Sequence, residues 1–356
     1  MMHEVQRVRK TTIKDVAERA GVSKKTVSRV INNEPSVHAS TREKVQREID
    51  ALGYQPDPSA RSLRRPHAYT LGLVYDNPNA HYIINLQSGV LSACLSSGYG
   101  LQILPCDSSS PALAERLCML VMRSRLAGLV LTPPVSEQPA LIRTLSEANI
   151  PFMRIISARK DPQDGYPCVY VDDRDAAYAI TEHLIQLGHK RIGFLWGNHE
   201  HCSSVERYQG YEDAMTDYRI ALDRKLIVPG DFTFDDGYRG ARKLLELKNR
   251  PTAIFGSNDE IAAGVLAAAH SDGINVPYDL SIAGFEDSPF SKQSWPALTT
   301  ARQATEEIAR HAAQRLIGDL QRVGFSESAQ NTNEGFSPEL VVRGSTGPHY
   351  PSLAKR

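Results

Sequence analysis

The sequence predicts a small all-α head followed by a larger α/β body of two lobes. Three observations carry that expectation. Apolar residues recur at helical spacing between residues 13 and 52. Near residue 70 the pattern switches to short apolar runs alternating with amphipathic stretches. The chain of 356 residues is too long for one ordinary core, and the body alone exceeds one typical domain.

In the head, Ile13, Val16, Ala17 and Ala20 share one helical face, with Thr12 placed to cap and Asp15 in the first turn. Gly21 breaks this helix and supplies the positive φ of a tight turn. Ser23 is then the cap of a second helix that turns Val27, Val30 and Ile31 inward. Lys24, Lys25, Ser28 and Asn32 are left outward, with Arg29 at the border. A third helix is expected from the S-x-x-E box Ser40–Glu43, burying Val45, Ile49 and Leu52 and stopping at Gly53.

Three short helices with a glycine turn between the first two make a helix-turn-helix. Its second helix presents two lysines at its N-terminal end, where such helices meet base edges in the major groove. Ammonium donors suit the guanine O6/N7 and thymine O4 acceptors there, while Arg42 and Lys44 suit phosphates. The charge distribution agrees. Residues 1–66 hold 14 Lys/Arg against 8 Asp/Glu, a net of +6, and the remaining residues hold 27 against 33, a net of −6. Residues 58–65 follow Pro56, open on Pro58 and are otherwise polar except for Ala60 and Leu63. A helix this short is marginal alone in water, so it is expected to order on binding.

Residues 11–57, TTIKDVAERAGVSKKTVSRVINNEPSVHASTREKVQREIDALGYQPD, resemble the head of the lactose-repressor (LacI/GalR) family. The resemblance implies that Lys24 and Lys25 choose the operator bases and that Thr26, Ser28 and Arg29 belong to a shared T-V-S-R run. Thr12, Ser23, Asn32 and Arg42 complete the expected DNA contacts of the head. It also implies that residues 58–65 form a hinge helix pairing across a dimer. Leu63 would wedge into the minor groove, with Ala60 beside it and Arg61, Arg64 and Arg65 near phosphates.

In the body, candidate strands lie at 71–75, 101–104, 128–131, 152–156, 168–171, 191–196, 252–255, 281–285 and 340–342. Amphipathic stretches fall between them at 83–95, 112–123, 175–187, 204–216, 237–247 and 259–270. Residues 325–337 are polar and rich in Ser, Asn and Gly, which reads as a loop. The alternation predicts buried parallel strands in doubly wound sheets. The body resembles the periplasmic-binding-protein-like core of the same family, which implies two Rossmann-like lobes joined by crossings near 170, 298 and 335. The implied domains are a helix-turn-helix at 1–57, a hinge at 58–69, a first lobe at 70–169 plus 300–330, a second lobe at 170–299 plus 331–345, and a tail at 346–356.

Ligands of open α/β sheets sit at the carboxyl ends of strands. The residues after the strands are Asp76 to Tyr82, then Asn198, His199, His201 and Ser203, then Ser257 to Asp259, and Glu286-Asp287. Planar, charged and aromatic groups together suit a sugar or a nucleoside. The resemblance sharpens this set to Asn79, Tyr82, His201, Ser203, Arg207, Phe232, Asn258, Asp259 and Glu286. Arg207 would grip the effector and Phe232 would stack on it. Asp259 reads as mainly structural. Glu286 stands where the family usually has aspartate, one methylene shorter.

The expected function is a DNA-binding regulator, most simply a repressor. It would bind a near-palindromic operator as a homodimer, its affinity modulated by a mono- or oligosaccharide. A nucleoside or purine corepressor is the alternative for the ligand. A solute-binding protein is the alternative for the class, but it would carry a leader and lack the head. No GxSxG, HExxH, Walker or GxGxxG motif occurs, so no enzyme and no cofactor are expected. His189, His199 and His201 hint at a metal, but H-x-H alone is weak and none is assigned. The five cysteines are scattered without a CxxC pair, and no run approaches a membrane span, which together point to a cytoplasmic chain.

Overall fold

The computed structural model describes residues 11–31, 37–54, 69–158, 162, 164–322 and 333–349. The chain divides into two compact units, residues 1–68 and 69–356. Asn32, Ala60, Arg61, Leu63 and Arg64, and with them the expected hinge helix, lie outside the described residues.

The head holds α1 (Ile13–Ala20), α2 (Lys24–Ile31) and α3 (Ala39–Ala51). Val16, Ala17, Ala20, Val27, Val30 and Val45 form its core, ringed by Ile13, Ile31, Ile49, Leu52 and Tyr54. Gly21 takes the left-handed conformation at φ 60° that ends α1. Asp15 accepts from the Thr12 N–H at 2.8 Å and from its hydroxyl at 2.7 Å. The Ser23 hydroxyl accepts from the Thr26 N–H at 3.1 Å, capping α2. The third helix corrects the sequence reading. The His38 carbonyl accepts the Arg42 N–H at 3.0 Å, so the helix already runs through Ser40. A capping residue must stand outside the helical conformation, and His38 at ψ 142° does so where Ser40 does not.

The first lobe of the body is a parallel sheet in the order β11-β5-β4-β3-β1-β2. Its strands are β1 (Thr70–Tyr75), β2 (Gly100–Pro105), β3 (Gly128–Leu131), β4 (Phe152–Ser157), β5 (Cys168–Val171) and β11 (Glu334–Phe336). Helices α4 (Ala80–Ser97), α5 (Leu113–Ser124) and α6 (Pro139–Glu147) connect them. The second lobe begins with α7 (Asp173–Gln186) and carries a parallel sheet in the order β7-β6-β8-β9. These strands are β6 (Ile192–Leu195), β7 (Ile227–Val228), β8 (Ala253–Gly256) and β9 (Ser281–Ala283). Its other helices are α8 (Cys202–Asp217), α9 (Phe234–Leu245), α10 (Asp259–Ser271) and the short α11 (Pro289–Gln293). Finally α12 (Thr305–Arg322) packs Ile308, Ala309, Ala312 and Leu316 into the same core as Leu71, Val90 and Val169.

The strand pairings move the expected lobe boundaries. All of β5 pairs with β4 in the first sheet, so the first crossing falls after Val171. Residues 300–302, expected in the first lobe, form β10 (Thr300–Arg302), which pairs antiparallel with β12 (Glu339–Val341). Ala301 and Leu340 from this pair pack on the second-lobe core of Phe194 and Tyr211. Residues 334–336, expected as loop and in the second lobe, are β11 and pair with β5 in the first. As an edge strand with only Phe336 half-buried, β11 offers no alternating apolar pattern to read. The expected tail is also partly packed. His183 contacts the Thr346 hydroxyl at 3.0 Å, and the His349 N–H donates to the Leu187 carbonyl at 2.7 Å. Among the described residues no helix is long and apolar enough to cross a membrane.

Candidate functional site

Four helices of the body begin at or beside one cleft between the lobes, and their caps explain how its side chains are aimed. Asn79 caps α4, accepting from the N–H groups of His81 and Tyr82, both at 3.1 Å. Asp172 caps α7 through the Asp175 N–H at 3.0 Å, and Asn258 caps α10 through the Ile261 N–H at 2.8 Å. At α8 the capping acceptor comes from the other lobe. Glu137 ends a 3-10 turn of the first lobe, and its carboxylate accepts the Cys202 N–H at 3.2 Å and the Ser157 N–H at 3.0 Å. Burial pushes this carboxyl up to about 7 despite those donors.

Eight of the nine residues expected in the cleft line it: Asn79, Tyr82, His201, Ser203, Arg207, Phe232, Asn258 and Glu286. Asp259 does not. Its carboxylate accepts from the Ser288 N–H at 2.7 Å and the Thr300 hydroxyl at 2.6 Å, pinning the turn that carries Glu286. Asn258 lines the cleft, but its amide also donates to the Phe232 carbonyl at 3.1 Å, so its amide links α10 to the Phe232 turn. That bond supports Phe232 at φ 61°, a left-handed conformation unusual for a bulky residue. Its ring lies so close to Gly197 that a Cβ there would sit 2.1 Å from the ring.

Arg207 is the centre of the arrangement and is 3% exposed. Its Nε and Nη2 both approach Asp173 Oδ1 at 2.9 Å, and Nη1 donates to the Ser257 carbonyl at 2.7 Å. The guanidinium lies over the Phe285 ring, 3.8 Å from its centroid, with Glu286 Oε1 at 3.9 Å from Nη1. Asp173 also accepts the Ser157 hydroxyl at 2.6 Å, joining the lobes. A close approach at one glycine sets the position of α8. A Cβ at Gly210 would meet the Arg174 carbonyl at 2.1 Å, so the R-x-x-G spacing lets α8 lie against α7.

Glu286 is held at φ 108° and next to Asp287 at φ 57°, a strained pair for non-glycine residues. Asp287 is anchored by Arg343 and by Arg302 at 3.0 Å, which supports the strain. Glu286 Oε2 accepts from the Asn79 amide at 2.8 Å, so the extra methylene carries the carboxylate across the cleft to the first lobe. Burial pushes its carboxyl up to about 8, against the pull of Arg207. The cavity has a volume of about 30 Å³, room for roughly two water molecules.

Reading residues after strands missed Glu137, Ser157, Asp173 and Gln303. Asp173 lies two residues past β5, and a sequence signal was present there in the doubled acid Asp172-Asp173. Glu137 sits in a turn with no motif around it. The three histidines occupy separate settings: His189 contacts Thr252 and Ser281, His199 packs on Trp196, and His201 packs edge-on against Phe232. Among the described residues no group of three or more His, Cys, Asp or Glu is placed to hold a metal.

In the head, Thr12, Ser23, Lys24 and Lys25 are exposed, and Thr26, Ser28, Arg29 and Arg42 are half-buried. The hydroxyls of Ser23 and Thr26 lie 2.9 Å apart, and that of Thr12 is bonded to Asp15, so these three also shape the helix starts. Lys24 and Lys25 stand together in the first turn of α2.

Comparison with known proteins agrees with both units. Residues 12–57 match the family described as bacterial regulatory proteins, lacI family, and residues 181–346 match a periplasmic binding protein-like domain. The chain is 32% identical over 336 residues to the HTH-type transcriptional repressor PurR of Haemophilus influenzae (strain PittEE), covering 93% of this chain and 97% of that one. Among solved structures it is similar to the transcriptional regulator CelR in complex with cellobiose, with TM-score 0.70 and 29% identity over 94% of this chain and 100% of that one. It is likewise similar to the lac repressor dimer bound to operator and the anti-inducer ONPF, with TM-score 0.75 and 26% identity over 95% and 100% of the two chains. With a helix-turn-helix head, a two-lobed α/β body and relatives of this identity across nearly its whole length, the chain belongs to the lacI family of bacterial regulatory proteins.

Proposed function

We propose that this regulator is a cytoplasmic repressor that binds a near-palindromic operator as a homodimer and responds to a sugar effector held between its lobes. The observation that carries the reading is the closed cleft itself, in which Arg207, Asp173, Glu286 and Phe232 converge from elements far apart in the chain. Charged hydrogen-bonding groups beside an aromatic wall suit a polyhydroxylated ring. The similar regulator solved in complex with cellobiose supports a sugar as the effector.

The first lobe also supports pairing of two chains. Ile84, Leu91 and Leu95 share one face of α4, and Leu95 is 70% exposed. Ile103 on the edge strand β2 and Met119 and Met122 on α5 are exposed as well. Apolar groups on neighbouring elements of one lobe are the kind of surface a twofold partner covers. An effector then acts by favouring one arrangement of the lobes, and it shifts DNA affinity only by its differential affinity for the two.

The test is a thermal-shift panel of mono- and oligosaccharides beside nucleosides, with operator binding measured for each hit. It is run on the wild type and on the D173N/R207A double variant, which removes both charges together. A sugar is expected to raise the wild-type melting temperature and change operator affinity. The double variant is expected to bind operator and ignore that sugar. A normal response from the double variant overturns the cleft assignment, and hits confined to nucleosides overturn the sugar.

A further inference from the structure

The contacts that run from one lobe of the body to the other include two that end on a glutamate. Glu137 of the first lobe accepts the Cys202 N–H of the second at 3.2 Å. Glu286 of the second lobe accepts the Asn79 amide of the first at 2.8 Å, a reach that its extra methylene provides. Beside them the Ser157 hydroxyl donates to Asp173 at 2.6 Å, and His81 packs edge-on against Phe290.

The surroundings of both carboxyls disfavour a charge. Glu137 is half-buried, and its donors are neutral: the Ser157 N–H at 3.0 Å, the Cys202 N–H and the Cys202 thiol. The charged group that faces it is Asp173 at the start of α7, which repels a second negative charge. The Glu286 side chain is 13% exposed. From α8 it faces Arg207 at 3.9 Å, but that guanidinium places Nε and Nη2 on Asp173 at 2.9 Å. From α10 and α7 it faces Asp259 and Asp173, and from α4 the Asn79 amide and the Tyr82 phenol. Its neighbour Asp287 holds Arg302, Arg343 and Lys292 to itself.

A carboxylate taken out of water into such a setting is costly, and a bound proton removes the cost. With the lobes joined, burial holds Glu137 at about 7 and Glu286 at about 8. Parting the lobes returns both to water, where glutamate titrates at 4.5. The other titratable groups nearby do not follow them. Asp259 bonds Ser288 and Thr300 within the second lobe and stays covered when the lobes part. Burial pushes the Cys202 thiol up to about 12 and the Tyr82 phenol higher, so both are neutral in either arrangement. His201, held by burial below its ordinary range, has the opposite sign and loses a proton on joining.

We propose that joining the lobes takes up protons at Glu137 and Glu286, so that the balance between the joined and parted arrangements senses pH through these two residues. The proposal takes from the proposed function only that the lobes part and rejoin; the identity of the ligand does not enter. Between the titration of the parted and of the joined forms, each step up in pH favours parting. An effector that favours the joined lobes is then held tighter in acid than in alkali.

The test needs no ligand. Amide hydrogen exchange at Cys202 is followed on the full chain from pH 6 to 8.5, each rate divided by the intrinsic rate at that pH. The acceptor of this N–H belongs to the other lobe, so its protection reports parting. It is expected to be less protected than the core amides of Val130 and Ile254, and to lose about tenfold or more of its protection across the range. Glu286→Gln and Glu137→Gln each keep an acceptor at the bond but cannot bind the proton. Each is expected to make the dependence shallower, and the double variant to hold protection constant within about twofold. A Cys202 amide as protected as the core overturns the proposal, because the lobes then part only when the protein unfolds. Wild-type protection that stays flat also overturns it, as does protection that rises with pH, the mark of a histidine. A dependence left intact by both single variants does the same, and E137Q decides alone if E286Q folds poorly. The effector reading fails separately, on the response of D173N/R207A to sugars.

Discussion

The head and the cleft use charge in opposite ways. Lys24 and Lys25 stand exposed at the start of α2, where water screens them and a polyanion can reach them. Arg207 is 3% exposed and spends its charge inside the protein, on Asp173 and a backbone carbonyl. An exposed charge contributes little to stability and is replaceable without structural cost. A buried charge is tolerable only as part of a set, so removing one member costs more than removing two. The difference predicts which substitutions change what the protein recognises and which change whether it folds.

The sharpest break in that comparison is Arg207→Ala. It leaves Asp173 buried and uncompensated, so stability is expected to fall by about 3–5 kcal/mol. Denaturant unfolding checks this, and adding Asp173→Asn should recover a large part of the loss. If R207A unfolds like the wild type, the buried pair is not holding the lobes. Next in size are Lys24→Ala and Lys25→Ala. Each is expected to cost about 1–3 kcal/mol at the base it reads while leaving the melting temperature unchanged. Selection on a randomised operator measures it, and uniform weakening on every sequence would demote both to phosphate contacts.

The cleft acids predict a pH dependence with a definite sign. Glu137, Asp259 and Glu286 are each pushed up by burial, to about 7, 7 and 8. A carboxyl raised on folding binds more protons folded than unfolded, so its contribution is present below the unfolded value near 4.5 and is lost as pH climbs through 7 to 8. His189, held by burial at about 4, is neutral in both states above its unfolded value and drops out of the upper part of that window. Stability should therefore fall between pH 6.5 and 8.5, on the order of 1 kcal/mol per pH unit. Glu286→Gln should flatten the slope, and a stability that rises across this window contradicts the burial of these acids. The smallest effect separates two serines. Ser23→Ala removes a working cap and should destabilise the head by about 0.5–1 kcal/mol, whereas Ser40→Ala should be near neutral. Equal losses at the two would restore the capping box at Ser40.

The same contrast decides what could be read without coordinates. The head was legible because its determinants are local: Val16, Ala17 and Ala20 mark a face within one helix, and Ser23 sits three residues from the N–H it caps. In the cleft, Glu286 was found because it follows a strand end, and Arg207 because it stands in a run that resembles the family's S-x-x-x-R-x-x-G-Y pattern. Their partners were harder, since Asp173 lies 34 residues from Arg207 and Glu137 lies 65 from Cys202. No period in the sequence encodes a meeting of that kind; it exists only once the two lobes are in place. Strand β11 was missed for a related reason. Its place in the first sheet comes from pairing with β5, and an exposed edge leaves no apolar alternation to see.

The bond from Glu137 to the start of α8 bears on time as well as shape. In the closed arrangement the cavity has room for about two waters, and the bonds Glu137–Cys202, Asn79–Glu286 and Ser157–Asp173 tie one lobe to the other. If the cleft holds the effector as proposed, those bonds require the lobes to part before the ligand enters and again before it leaves. Arrival is then gated by the protein's own opening, and the observed rate of capture levels off as ligand concentration rises.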